Sequence, residues 1–101
     1  MNKRLRKKYG LSKITNKELW DLYFTLAKYI LPRLIRFKQC VSCHPPDITF
    51  EQYIEVLDKM IWSFNFIIED DIKVIPYNKD NYIRCQEGLD LFAKYFRDLW
   101  N

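Results

Sequence analysis

Glycine is nearly absent from this sequence: only two glycines occur among its 101 residues. This scarcity favours long regular elements over a turn-rich β-sandwich. Hydrophobic residues make up 49% of the chain and aromatic residues 17%, which excludes a disordered or low-complexity chain. We therefore expect an ordered, mostly helical domain.

Residues typical of catalytic centres are also scarce. His44 is the one histidine, and the sequence contains neither a glycine-rich phosphate loop nor a Ser-His-Asp arrangement. Glu69, Asp70 and Asp71 are consecutive acids, but three consecutive residues on a helix cannot all point in one direction. We expect a protein that is not an enzyme.

Long uninterrupted hydrophobic stretches are missing too. The apolar run over residues 20–37 contains Asp21 and Lys28, so it falls short of the roughly 20 apolar residues that a membrane span requires. Polar residues after Gly10 stand where a signal peptide would have its apolar segment. We expect a cytosolic protein without a membrane span, in which the cysteines stay reduced.

Positive charge is concentrated at the start of the chain. Seventeen Lys and Arg against thirteen Asp and Glu give a net charge of +4. The excess is supplied by Lys3, Arg4, Arg6, Lys7 and Lys8. We interpret residues 1–12 as a basic arm, either a solvated tail or a nucleic-acid contact, and residues 13–101 as a single helical domain. The remainder of the chain is about neutral, so no helix carries the basic stripe that phosphate binding needs.

The apolar run over residues 20–37 predicts the central helix of the fold. Thr15 and Glu18 form a capping box, so this helix should begin there. Pro32 removes one backbone donor, which predicts a kink or a break near residues 28–31. On a helical wheel the apolar residues face two directions, the first with Leu19, Tyr23, Leu26, Ile30, Leu34 and Phe37, the second with Trp20, Phe24, Leu31 and Ile35. A three-helix domain covers only part of that circumference, so we predict self-association, most simply as a two-fold dimer.

Two further helices follow in the sequence. Thr49 and Gln52 form a second capping box, and Asn78 or Asn81 should cap the third helix. Gly88 lies inside the third helix at a cost of about 1 kcal/mol relative to alanine, which predicts a close helix crossing there. The predicted fold class is all-α, a small three-helix bundle with its first helix kinked at a proline.

The pattern Cys40-Val-Ser-Cys43-His44 matches the c-type haem attachment motif, for which Met60 would be available as a second axial ligand. Cys40, Cys43, His44 and Cys85 also have the right ligand types for zinc. Haem attachment takes place outside the cytosol, and no export signal precedes the motif. Cys85 falls on an apolar helical stripe, where a free cysteine commonly acts as a small hydrophobe. We expect neither cofactor.

The first predicted helix has a narrow polar strip, formed by Asp21, Thr25, Lys28, Pro32 and Arg36. Arg33 lies about 100° away from this strip, among apolar residues. Its guanidinium should therefore meet an acid from another helix, such as Asp58, or an anionic ligand, and we favour the ion pair. The tryptophans are either core anchors or interaction residues. Our candidate ligand-binding or partner-binding residues are Arg33, Arg36, Trp20, Trp62 and Trp100, which a dimer would bring together at its subunit boundary.

Three segments have a specific pattern: residues 31–34 (LPRL, after an aromatic run), residues 58–64 (DKMIWSF) and residues 86–96 (QEGLDLFAKYF). With these segments the chain resembles a family of small uncharacterised bacteriophage proteins over all three predicted helices. The resemblance implies a phage origin and expression in the cytoplasm of an infected host bacterium. In that family the connection between the first two helices is variable and lacks a fixed Cys-x-x-Cys-His, which argues further against haem and zinc.

Small phage proteins without catalytic motifs often act stoichiometrically. The resemblance therefore implies a binding protein that inhibits a host protein, such as one of a defence system, or sequesters a nucleotide signal. The alternative is a nucleic-acid-associated accessory protein that uses the basic arm. The partners we expect are the chain itself and a host protein or nucleotide-like molecule.

Overall fold

The computed structural model describes residues 3–101, except for the side chains of Leu5 and Arg6. The described residues form five α-helices, α1 Lys3–Lys8, α2 Asn16–Trp20, α3 Leu22–Cys40, α4 Phe50–Lys73 and α5 Lys79–Lys94. Short 3₁₀ turns lie at Leu11–Lys13 and Phe96–Asp98, and no strand occurs among these residues. The predicted all-α class is confirmed.

The central helix of the fold is α4. It packs against α3 on one side and α5 on the other, whereas the Cα traces of α3 and α5 stay more than 8 Å apart. Tyr53, Leu57 and Met60 of α4 are completely buried. The prediction that the helix over residues 20–37 is central was wrong, because its apolar circumference is left partly exposed instead of being surrounded.

The first predicted helix is divided into α2 and α3. Thr15 caps α2 with the predicted capping box, in which its hydroxyl accepts a hydrogen bond from the N–H of Glu18 at 3.3 Å. The backbone leaves helical geometry at Asp21 (φ −123°, ψ 58°), and α3 then continues through Pro32. The break therefore lies at Asp21 rather than beside the proline, and the kink at Pro32 stays a prediction.

The caps of the other two long helices are confirmed. The hydroxyl of Thr49 accepts from the N–H of Gln52, and the Gln52 side chain accepts from the N–H of Thr49. The side chain of Asn78 accepts from the N–H groups of Asp80 and Asn81. These side chains satisfy backbone donors that the first turn of a helix leaves without partners.

The crossing of α5 over α4 lies at Gly88. A Cβ at this position would overlap the Ser63 hydroxyl and stand 2.5 Å from the carbonyl oxygen of Lys59. The same hydroxyl donates to that carbonyl at 3.1 Å. The predicted close approach at Gly88 is confirmed.

The N-terminal elements make few contacts with the three long helices. Among the other elements described, α1 comes within 8 Å only of the turn Leu11–Lys13, and α2 only of α3. The Cα radius of gyration is 16.2 Å, against about 13 Å for a compact chain of this length. The division into an arm of residues 1–12 and a domain of residues 13–101 stays a prediction, and residues 1 and 2 lie outside the described part. This open arrangement leaves one side of α3 without cover.

We expect the fold to lose stability as the pH rises from about 10 to about 12. A hydrogen bond to Asp71 raises the pKa of Tyr23 to about 12, and burial raises the pKa of Tyr53 to about 12. Unfolded tyrosine deprotonates near pH 10. Between the two values the folded state therefore keeps protons that the unfolded state has lost, so stability falls as pH rises.

Thermal unfolding midpoints across this pH interval test the expectation. The double variant Tyr23→Phe/Tyr53→Phe should lose less stability across the interval than the wild type. The control is Tyr77→Phe, at an exposed tyrosine. This variant should lose as much stability across the interval as the wild type does. Equal losses in all three proteins would contradict the assignment.

Candidate functional site

An open apolar groove of about 230 Å³ lies between α3 and α5. Its walls are formed by Tyr29, Ile30, Arg33, Leu34 and Phe37 of α3, by Phe92 of α5 and by Leu99 of the C-terminal segment. Phe92 also packs edge-on against Phe64 of α4, with 5.0 Å between ring centroids. The groove exists because α4 separates the two outer helices, and no further helix of the described chain fills the space.

The orientation of α3 explains why the groove is apolar. Ala27 and Leu34 are buried in the core. Leu22, Leu26 and Tyr29 lie further round the helix toward the groove and are 44%, 48% and 60% exposed. The surplus of apolar surface that the sequence predicts is therefore present on this helix.

A second exposed apolar cluster, here called the N-terminal patch, joins α2 to the first turns of α3. It consists of Leu19, Trp20, Leu22, Tyr23 and Leu26, all of which are exposed. Trp20 is 84% exposed, which is unusual for the largest apolar side chain. Exposed apolar clusters of this kind commonly mark interaction surfaces.

Arg33 is the one charged side chain that lines the groove. Its guanidinium stacks on the Tyr29 ring at 3.6 Å from the centroid, and its Nη1 donates to the Tyr29 carbonyl at 2.9 Å. The predicted pair with Asp58 was wrong, because Asp58 pairs with Lys38 at 2.5 Å. Lys38 lies on the side of α3 that meets α4, whereas Arg33 faces the groove. Among the described residues, no carboxylate forms a salt bridge with Arg33.

Double-mutant cycles distinguish the two assignments of Asp58. We expect Arg33→Met and Asp58→Leu to be additive in unfolding free energy to within about 0.5 kcal/mol, as for residues that do not touch. Lys38→Met and Asp58→Leu should show a coupling of about 0.2–1 kcal/mol, the usual range for an exposed pair. Urea unfolding of the single and double variants measures both, and a larger coupling for Arg33 than for Lys38 would contradict the structure.

The three tryptophans lie in different parts of the chain. Trp20 is on α2, and Trp100 is 65% exposed beside Cys43. Trp62 stacks on Phe66 with 5.2 Å between ring centroids, and the Arg84 guanidinium lies 4.0 Å from the Trp62 centroid. A single chain therefore brings none of them to the groove with Arg33.

The C-terminal residues hold the Cys-x-x-Cys-His segment. The side-chain oxygen of Asn101 accepts from the N–H of Ser42 at 3.2 Å, and its nitrogen donates to the Cys40 carbonyl at 3.1 Å. The Cys43 thiol lies 4.0 Å from the Trp100 carbonyl oxygen. We call this arrangement the C-terminal clasp. It gives the segment a structural role in joining the end of α3 to the C-terminal residues.

Arg36 is close to this clasp and does not line the groove. Its Nη1 donates to the Cys40 thiol at 2.6 Å, one helical turn further along α3. Arg36 and Arg33 are both exposed, but only Arg33 contributes to the groove. The pair therefore provides a functional candidate and a matched control on the same helix.

The proposed haem and zinc ligands are not brought together. No three His, Cys, Asp or Glu side chains converge anywhere in residues 3–101 apart from the two undescribed side chains. Cys85 is buried where α5 meets α4, its thiol donates to the Ser63 carbonyl at 3.8 Å, and burial raises its pKa. Met60 is packed in the core cluster and does not line the cavity beside Cys43 and His44. The cavity beside Cys43 and His44 is about 130 Å³, well below the roughly 300 Å³ of the smallest usual ligand pockets.

The basic residues of the arm lie on α1. Lys3, Arg4, Lys7 and Lys8 are exposed, and helical geometry places them on one side of α1. The side chain of Arg6, which belongs to the same predicted cluster, lies outside the described part. The arm is therefore helical over Lys3–Lys8, which the sequence interpretation did not include.

Sequence reasoning missed the second wall of the groove. Neither Phe92 nor Leu99 was named as a site residue from the sequence, but both line the groove. The signal that could have revealed the groove was the helix over residues 20–37, whose apolar residues face two directions. Neighbouring helices cannot cover both directions, so one of them stays open. Only the packing of α4 between its neighbours decides which side stays open.

Within the described residues, no helix combines the length and apolar character needed to cross a membrane. Comparisons with protein-family models, curated proteins and solved structures gave no match to this chain. The resemblance to small bacteriophage proteins therefore depends on the three sequence segments alone.

Proposed function

We propose that this protein is a non-catalytic phage accessory protein that inhibits a host protein by stoichiometric binding in the cytoplasm of the infected bacterium. The groove is the observation that supports binding. It is an exposed apolar surface bordered by Arg33, whose guanidinium forms no salt bridge among the described residues. Soluble monomers rarely expose a large contiguous apolar surface without an interaction role. The phage setting and the host target come from the family resemblance.

The dimensions of the groove favour a protein target over a nucleotide signal. Its volume is about 230 Å³, whereas pockets for small molecules usually hold about 300–1,000 Å³. Phosphate groups also need several N–H donors, and Arg33 is the only charged donor in this lining. One or two apolar side chains of a partner protein fit the groove better than a nucleotide does.

Stoichiometric capture in a bacterial host tests this function. We expect the expressed protein to copurify with one host protein at equimolar ratio, and the purified pair to form the same complex. Tyr29→Glu places a charge on the exposed rim of the groove and should abolish the complex. Tyr77→Glu, at another exposed tyrosine, is the control and should retain it. Equal binding by both variants would contradict the groove as the site.

The exposed basic side of α1 favours a second candidate function, nucleic-acid association. Replacing Lys3, Arg4, Lys7 and Lys8 by glutamine should then weaken DNA or RNA binding uniformly across sequences. The slope of log affinity against log salt should fall roughly in proportion to the number of phosphates that these side chains neutralise. Recovery of nucleic acid alone from a lysate, released by moderate salt, would favour this candidate over host-protein inhibition.

We also propose that the N-terminal patch closes a two-fold dimer. Light scattering at tens of micromolar should then give twice the chain mass of 12.4 kDa. Trp20→Ser/Leu22→Asn should reduce the mass to that of one chain, because it removes apolar area from the patch. A single species of 12.4 kDa for the wild type would rule out the dimer.

A further inference from the structure

We infer that the groove takes an amphipathic α-helix of the partner protein, which inserts apolar side chains between α3 and α5 and places a carboxylate against Arg33. This inference rests on the proposed function of the groove. It adds the chemistry of the partner: an acidic, apolar helix rather than an extended peptide, a basic helix or a small molecule.

The carboxylate follows from the state of Arg33. The Tyr29 ring and carbonyl hold its guanidinium at the edge of the groove, and Nη1 makes the one hydrogen bond that the described residues offer it. An arginine side chain has further N–H donors in a planar arrangement that matches a carboxylate. These donors are therefore held in position and available to a partner.

The other walls of the groove cannot supply an anion. Every other lining side chain is apolar or, for Tyr29, an aromatic ring with a hydroxyl group. A partner that covers the groove also removes Arg33 from water, and an unpaired charge is costly to bury. Three lysines pair with acids of the chain, Lys38 with Asp58, Lys59 with Glu87 and Lys73 with Glu69, whereas Arg33 lines the groove without such a partner among the described residues. At Arg33 the acid has to come from the partner.

The helical form of the partner follows from the backbone of the groove. Its long walls belong to two helices, and the described residues contain no strand edge that could hydrogen-bond an extended peptide. An extended segment would leave its own N–H and C=O groups unpaired against apolar side chains, whereas a helix pairs them internally. From Tyr29 to Phe37 the groove follows α3 for about 12 Å, or about two helical turns. Partner side chains spaced three and four residues apart match this length.

Synthetic peptides provide the test. The probe is a peptide of about 14 residues with leucines at helical spacing and one glutamate beside them. Two matched peptides carry glutamine or lysine instead of the glutamate. Fluorescence anisotropy with the full chain should show the glutamate peptide binding about tenfold tighter than the glutamine peptide, the effect of one charge-assisted hydrogen-bonded contact. The lysine peptide should bind most weakly.

Variants of the chain assign this preference to Arg33. Arg33→Met should bind the glutamate and glutamine peptides equally, and Arg33→Lys should keep part of the preference. Arg36→Met, one turn away and outside the groove, should keep all of it. Amide NMR spectra should place the shifts at Ile30, Phe37 and Phe92.

The outcomes separate this inference from the proposed function. Equal affinity of the three peptides for the wild-type chain overturns the acidic partner. Absence of shifts at the groove overturns the helical partner, while equimolar capture of a host protein still supports inhibition. If Tyr29→Glu makes a wild-type dimer monomeric, a second copy occupies the groove, and the inference is wrong.

Discussion

Replacing Gly88 by alanine should destabilise the fold by about 3 kcal/mol, although alanine is the better helix former by about 1 kcal/mol. The added Cβ would overlap the Ser63 hydroxyl and lie 2.5 Å from the Lys59 carbonyl oxygen. The hydroxyl can rotate away, but the carbonyl belongs to the backbone of α4 and moves only with the helix. Urea unfolding at equilibrium measures the loss.

The control for Gly88 is the opposite substitution on the same helix. Ala93 is exposed in the last turn of α5, so Ala93→Gly should cost no more than about 1 kcal/mol through helix propensity. The double variant Ser63→Ala/Gly88→Ala should recover only part of the loss, because the Lys59 carbonyl remains. If Gly88→Ala is neutral or stabilising, the two helices do not cross as closely as described.

Leu57→Ala should destabilise the protein by about 3 kcal/mol, whereas Leu26→Ala should change the stability of the monomer by less than about 0.5 kcal/mol. Leu57 of α4 is completely buried, and Leu26 of α3 is 48% exposed. The same atoms are removed in both variants, so the difference reports burial alone. Only the buried site leaves a cavity.

This comparison tests which helix is central. Urea unfolding of both variants under one condition gives the two free-energy changes directly. A loss at Leu26 equal to that at Leu57 would mean that the exposed side of α3 is covered, either in the monomer or by a second copy. Repeating the measurement across protein concentration distinguishes these cases, because only a dimer gives concentration-dependent stability.

Local sequence signals predicted the starts of three of the five helices, α2, α4 and α5. Thr15, Thr49 and Asn78 each cap a helix as expected, because a cap depends on a side chain and on backbone groups two or three residues away. Gly88 was also predictable, since a glycine inside a helix is costly unless space requires it. These features need no knowledge of distant residues.

The features that sequence reasoning missed depend on distant residues. A helical wheel gives the direction of Arg33 and Lys38 around α3, but it does not say which direction meets α4. Lys38 rather than Arg33 therefore pairs with Asp58. For the same reason the contribution of Phe92 and Leu99 to the groove beside Arg33 was not identified.

The C-terminal clasp has a consequence for the order in which parts of the molecule open. Its bond from Asn101 to Cys40 joins residues 61 positions apart, so forming it closes a long loop and costs more chain entropy than any helical turn. The bond is also exposed to solvent. In hydrogen exchange, the Ser42 amide should therefore lose protection through local fluctuations, while the amides around Leu57 exchange only in global unfolding. Leu99 lies two residues before Asn101 in the same segment, so we expect this wall of the groove to fluctuate more often than the core beneath it, within the limit set by the bond from the Tyr53 hydroxyl to the Asp98 carbonyl.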